Sequence, residues 1–234
     1  MKVLALLAAL AGCYVHRYPV TPEVADPSVY KIVGAVREDG RRVQGTAWIA
    51  SPGLAVTAGH LCDFAANRSD DHSLWLVSDR FQEPVRTVEW NLTGDASDDW
   101  CLLRADGSTG RPLVLAAVPP AVGTADTADT YPDGVHTVSH GVVLPTVEGE
   151  AATSAAVDHG SSGGPVFTPA GVYGIVAQCR ATAEELCAPG SEGAALTPID
   201  VIKSALDGLG ASYDVTPDDP PDPDVVFPHN GLGD

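Results

Sequence analysis

Apolar residues in this chain fall in short runs closed by turn formers. The run Val29 to Val36 opens β-rich, alternating sequence, and Glu38-Asp39-Gly40-Arg41 closes it as a turn. Gly45 to Ala50 and Leu54 to Ala58 flank Ser51-Pro52-Gly53 and predict a pair of strands. Further strands are predicted at Leu74 to Val77, Thr87 to Asn91, Trp100 to Arg104, Val135 to Val143, Pro165 to Phe167 and Gly171 to Gln178. Turn residues separate nearly all of them, the pattern of an all-β barrel or sandwich. Helical spacing is clear in Asp200 to Leu209, where Val201, Ile202, Ala205 and Leu209 are apolar.

The two ends read differently from the middle. Met1-Lys2 followed by Val3 to Ala11 gives a cationic start and an apolar core too short to span a bilayer. It predicts an export signal over residues 1–12. The signal ends Leu10-Ala11-Gly12-Cys13, similar to the lipobox of bacterial lipoproteins, in which cleavage precedes a cysteine that becomes lipidated. Residues 13–28 are then a lipidated N-terminus and a polar, proline-punctuated tether. An ordinary secretory signal, with Cys13 incidental, is the alternative. Residues 211–234 carry six aspartates, interspersed prolines and no Lys or Arg, which predicts a solvated, disordered tail. The folded domain is expected over residues 29–210.

Composition narrows the function. The chain has 234 residues, 44% hydrophobic, enough for one sizeable core or two small ones, and 24 Gly with 19 Pro suit many short strands. A formal net charge of −18 argues against nucleic acid as a partner, because phosphates call for clustered Lys and Arg. No cofactor is implied. Five cysteines without a C-x-x-C pair point away from zinc, so no metal site is expected.

The chemistry concentrates in Asp158-His159-Gly160-Ser161-Ser162-Gly163-Gly164-Pro165. Glycines on both sides of Ser162, followed by proline, describe a tight exposed turn that can present a hydroxyl beside free backbone N–H groups. A nucleophile next to an oxyanion hole needs that arrangement. Gly160-Ser161-Ser162-Gly163-Gly164 also satisfies the G-x-S-x-G elbow of α/β-hydrolases, whose histidine must follow the serine. The histidine after Ser162 is His229, in the acidic tail, and Gly163-Gly164-Pro165-Val166-Phe167 predicts a turn into a strand instead of a helix. That reading fails.

Upstream, Thr57-Ala58-Gly59-His60 ends a short apolar run, and Asp99-Trp100-Cys101-Leu102-Leu103 opens another. With Gly160-Ser161-Ser162-Gly163-Gly164-Pro165 they stand in the order His, Asp, Ser. In these motifs the chain resembles the trypsin-like (chymotrypsin-fold) serine proteases, whose motifs read Thr-Ala-Ala-His, Asp before an apolar strand, and Gly-Asp-Ser-Gly-Gly-Pro. The resemblance covers roughly Tyr30 to Gly210. It implies an all-β fold of two six-stranded antiparallel β-barrels with a C-terminal helix, and the triad His60, Asp99 and Ser162 between the barrels. Asp98 is read as a solvated turn residue. The backbone N–H groups of Gly160 and Ser162 would form the oxyanion hole. Ala156 would lie near the base of the primary specificity pocket, with Val176, Ala177 and Gln178 as its wall. Without an acid at Ala156 or a histidine at Val176, a small or medium apolar residue is the expected preference.

Under the same resemblance, His60 and Asp99 meet, which brings Cys62 near Cys101 and pairs them as a disulfide. Cys179 and Cys187 would close a small loop, with Cys13 left for lipid. The residue before the nucleophile is Ser161, which cannot make the ion pair of zymogen-activated members. Lys31-Ile32-Val33-Gly34 is accordingly read as a barrel strand instead of an activation sequence. The expected protein is an exported serine endopeptidase of the bacterial envelope, monomeric, acting on peptide or protein substrates and held to a membrane by lipid. The alternative is a catalytically silent binding lipoprotein that keeps the protease fold.

Overall fold

The structure, a computed structural model, describes residues 28–36, 42–67, 74–78, 82–106, 110–147, 150–179 and 193–216. The first half of the body holds β1 (Val29–Val36), β2 (Arg42–Ser51), β3 (Leu54–Thr57), a helix α1 (Gly59–Asn67), β4 (Leu74–Val77), β5 (Gln82–Asn91) and β6 (Trp100–Arg104). These strands close into a barrel in the order β1-β2-β3-β6-β5-β4, every pair antiparallel. The second half holds β7 (Ala125–Thr130), β8 (Thr137–Val147), β9 (Glu150–Thr153), β10 (Pro165–Thr168), β11 (Gly171–Cys179), β12 (Ala194–Pro198) and the helix α2 (Ile199–Gly208). It closes in the order β10-β11-β12-β9-β8-β7. The expected pair of six-stranded barrels with a C-terminal helix is what the chain forms. Lys31 to Gly34 lies within β1, as expected.

The apolar runs are continuous where a strand is covered on both faces. In β2, Ala47 and Ile49 point into the first barrel, whereas Trp48 and Ala50 join a cluster between the barrels. β6 divides likewise, with Cys101 and Leu103 inward and Trp100 and Leu102 outward. Strand residues alternate in direction, so two-sided burial demands apolar side chains at every position. The outward set meets Leu115, Val172, Ile175 and the buried face of α2, formed by Ile199, Ile202, Ala205 and Leu206. Burying each such Leu or Ile contributes roughly 1.5–3 kcal/mol. This packing fixes one barrel against the other.

Several elements escape the sequence pattern. β7 reads Ala-Asp-Thr-Ala-Asp-Thr, yet Asp126 and Asp129 are both buried. Asp126 accepts a 2.6 Å hydrogen bond from the Tyr173 hydroxyl, and Asp129 lies 2.6 Å from Nε2 of His136. β9, β12 and α1 were also not predicted, and β5 starts at Gln82, five positions before the predicted strand. The packed body also extends past Gly210, where the sequence reading ended it. The Leu115 N–H donates to Asp214 O at 2.9 Å, the Thr216 N–H donates back to Leu115 O at 3.0 Å, and Ser51 Oγ donates to Ser212 O at 2.6 Å. Residues 211–216 are therefore part of the domain, not of the tail.

Candidate active site

His60 enters the site from the first turn of α1. Its imidazole Nδ1 lies 2.7 Å from Asp99 Oδ2, and its backbone N–H donates to Asp99 Oδ1 at 2.8 Å. One carboxylate thus grips both the ring and the helix N-terminus, where N–H groups have no intrahelical acceptor and a negative charge is favoured. Asp99 is 1% exposed, while the His60 side chain is 37% exposed, so the ring is anchored from behind and open in front. Asp98 ends the 3-10 turn Ala96–Asp98 and accepts from Thr93 Oγ1 at 3.2 Å. Behind Asp99, the buried Thr197 hydroxyl bonds the Ala96 and Asp99 carbonyls at 2.6 and 2.9 Å.

The glycine in Thr57-Ala58-Gly59-His60 has a steric cause. A Cβ on Gly59 would stand 2.1 Å from Asn91 O and 2.8 Å from Trp100 O. The ends of β5 and β6 press against this turn, and alanine does not fit without a shift.

Ser162 lies in the turn between Val157 and β10, half-buried, within the second barrel. The turn is held against the first barrel: the Thr46 N–H donates to Ser162 O at 2.8 Å. A Cβ on Gly163 would meet Thr57 Oγ1 at 2.4 Å and Ala58 N at 2.7 Å, so Ser162 is carried to the chain just before His60. Gly160 and Gly163 take φ of +93° and +83°, a region that favours glycine.

The N–H groups of this turn divide cleanly. Those of Ser161, Gly163 and Gly164 donate to Asp158 O, Val176 O and Ser161 O at 2.9, 2.7 and 2.9 Å. Those of Gly160 and Ser162 have no acceptor among the described residues. A planar trans peptide points its N–H opposite to its C=O, so a held carbonyl aims the N–H that follows it. The His159 carbonyl accepts the Asp133 N–H at 2.7 Å, which aims Gly160 N–H; the Ser161 carbonyl accepts Gly164 N–H, which aims Ser162 N–H. One glycine-rich turn thus presents a hydroxyl and two N–H groups without an acceptor among the described residues, and the first barrel presents a carboxylate-held imidazole; acyl transfer uses groups of these kinds.

The other expected positions also take definite places. Ala156 is half-buried and its carbonyl accepts from Ser139 Oγ at 2.7 Å. Val176 is buried beside the serine turn, its N–H bonded to Gly164 O at 2.9 Å; Ala177 packs with Ala96 and Ala195, and Gln178 is exposed. Ser161 is fully buried, with its hydroxyl donating to Thr130 Oγ1 at 3.2 Å and accepting from Asp158 N–H at 3.1 Å. Cys62 and Cys101 form a disulfide that joins α1 to β6. Cys13 and Cys187 lie outside the described residues. No group of three or more His, Cys, Asp or Glu able to hold a metal occurs among the described residues.

Sequence reasoning missed Thr46, Thr197 and Asp133. Asp133 takes φ +48° and is the non-glycine residue with positive φ among the described residues. Pro132-Asp133-Gly134 is a recognisable turn former, but nothing in it announces that its amide reaches His159.

No protein-family model matches the chain, and no curated protein matches it in sequence. Solved structures do match. The Rv3671c protease of M. tuberculosis in its active form is similar with a TM-score of 0.60 and 22% identity, over 82% of this chain and 84% of that one. The serine endoprotease from Yersinia pestis gives 0.62 and 19%, over 79% of this chain and 63% of that one. The HtrA-type protease AlgW, solved with a decapeptide, gives 0.60 and 18%, over 79% and 65%. The closed barrels, their strand order and these likenesses together give the chain the two-barrel fold of the trypsin-like serine proteases.

Proposed function

We propose that the protein is a serine endopeptidase that cleaves peptide bonds through Ser162, His60 and Asp99. The observation that carries this reading is the double grip of a buried Asp99 on the ring and amide of His60. Such a grip sets the imidazole tautomer with Nε2 free to accept a proton. Ser162 Oγ attacks the substrate carbonyl as its proton passes to Nε2, and the oxyanion is received by the N–H groups of Gly160 and Ser162. His60 then returns the proton to the leaving amine, and water repeats the sequence on the acyl-enzyme. Asp99 keeps its hold on Nδ1 and stabilises the imidazolium. With the uncharged Ala156 near the base of the pocket and Val176, Ala177 and Gln178 as its wall, a small or medium apolar residue is the preferred side chain before the scissile bond.

The fully buried Ser161, with its hydroxyl engaged, supports formation of the hole without an N-terminal ion pair. The same proposal places the protein outside the cytoplasm, lipidated on Cys13 after signal cleavage, with a second disulfide between Cys179 and Cys187. A cysteine replacement, Cys13→Ser, should move the protein out of the membrane fraction; a soluble wild type with another N-terminus would replace lipidation by secretion. The test of activity is a serine-reactive fluorophosphonate probe. Labelling at Ser162 that vanishes in Ser162→Ala supports the reading, and an unlabelled, folded wild type would overturn it.

A further inference from the structure

Thr46 in β2 is fully buried, and each of its polar groups is engaged. Its N–H holds Ser162 O at 2.8 Å and its carbonyl accepts from Thr57 Oγ1 at 2.7 Å. Its hydroxyl reaches two further segments: it donates to Gly160 O at 2.9 Å and accepts the Tyr131 N–H at 2.8 Å. Tyr131 precedes the 3-10 turn Pro132–Gly134, whose Asp133 N–H holds His159 O. One hydroxyl of the first barrel therefore ties together the serine turn and the neighbouring turn of the second barrel that orients it.

We propose that the Thr46 hydroxyl is the positioning group of the oxyanion hole, an inference that rests on the serine endopeptidase reading of the site. Gly160 at φ +93° is free to rotate as other residues are not, so its own backbone does not lock the hole. The lock is external. If the hydroxyl is removed, Gly160 O and the Tyr131 N–H lose the bonds that tie them to each other through Thr46, and buried groups that lose a bond relieve themselves by moving. A shift of Tyr131 carries Asp133 with it and releases His159 O. The peptide between His159 and Gly160 can then turn, taking the Gly160 N–H out of the site. Thr46 touches no reacting atom in this scheme; it acts through the two turns.

The test compares Thr46→Val, which keeps the shape and loses the hydroxyl, with Thr46→Ser, which keeps the hydroxyl. Fluorophosphonate labelling of Ser162 is followed against probe concentration, with melting temperature measured alongside. Well below melting, Thr46→Val should lower the maximal labelling rate by about 10²-fold, comparable to losing or misplacing an oxyanion donor, with the half-saturating concentration little changed. Thr46→Ser should restore the rate to within about 3-fold of wild type, since one hydroxyl of the same reach makes the same two bonds. If Thr46→Val does not fold, Thr46→Ala removes the same hydroxyl without a new methyl group and is read in the same way. A variant without the hydroxyl that melts earlier but labels as fast as wild type would make Thr46 merely structural and overturn the inference alone. An unlabelled wild type would overturn the endopeptidase reading and this inference together.

Discussion

At Gly59 a single hydrogen atom stands where a methyl group would collide with two carbonyls. Gly59→Ala forces β5, β6 or the start of α1 to move, because the added Cβ would lie 2.1 Å from Asn91 O. Overpacking of this kind costs roughly 1–3 kcal/mol, so the unfolding free energy should fall by that amount and the denaturation midpoint with it. Because His60 is the next residue, turnover should fall as well; an unchanged midpoint would show that the turn has slack. Asp99→Asn should lower turnover on the order of 10⁴-fold, because an amide does not hold the imidazole in the required tautomer. Asp98→Asn should be nearly silent, since Asp98 faces Thr93. Kinetics of both variants on one peptide substrate decide between the two aspartates. His60, Asp99 and Ser162 stood out in the sequence because each sits inside a short local motif. Thr46 did not, because its partners Gly160 and Tyr131 are 114 and 85 positions away and no local pattern encodes them.

Among the elements, α1 depends on its staple. The Cys62–Cys101 disulfide ties the helix carrying His60 to the strand that follows Asp99, closing a separation of 39 residues. A loop of that length implies about 4 kcal/mol of stabilisation in the chain-entropy account. Replacing both cysteines by serine should lower the melting temperature and slow fluorophosphonate labelling, whereas peptide mapping without reductant should recover the Cys62–Cys101 link from the wild type. The helix was illegible because its buried residues, Leu61, Cys62 and Ala65, fill little more than one turn of pattern before the element ends. β7 was illegible for a different reason: its buried positions include aspartates, which propensity assigns to turns. Its Asp126 has a consequence that can be measured. Burial, and then the hydrogen bond and charge of Asp126, push the Tyr173 hydroxyl above the usual tyrosine range. The folded state therefore holds this proton more tightly than the unfolded one. The resulting stability is complete below about pH 10 and declines as pH rises past it, where unfolded chains lose the proton first. Tyr173→Phe should flatten that alkaline decline in denaturant titrations, and a slope equal to wild type would remove Tyr173 as its source.

The described residues form two closed barrels joined by an apolar seam and fastened by residues 211–216. Ala211 and Tyr213 lie against the seam, and residues 212–216 bond both to β2 and to the segment linking the barrels. A chain ending after Gly210 loses at least four such hydrogen bonds, the one from the Thr216 hydroxyl to Leu115 O included, and should be less stable by on the order of 2–6 kcal/mol. One ending after Thr216 should melt like the full chain, and equal melting of the two would show that the strap is idle. The barrel architecture was legible because turn formers punctuate short two-faced strands, but the strap was not, because its six residues continue into acidic, proline-rich sequence. The strap also has a temporal meaning. His60 and Asp99 belong to the barrel that a ribosome delivers first, and Ser162 to the barrel delivered second. The segment between the barrels is not latched until Thr216 has emerged. A growing chain can thus close the Asp99 grip on the His60 imidazole before the turn that carries Ser162 has been made.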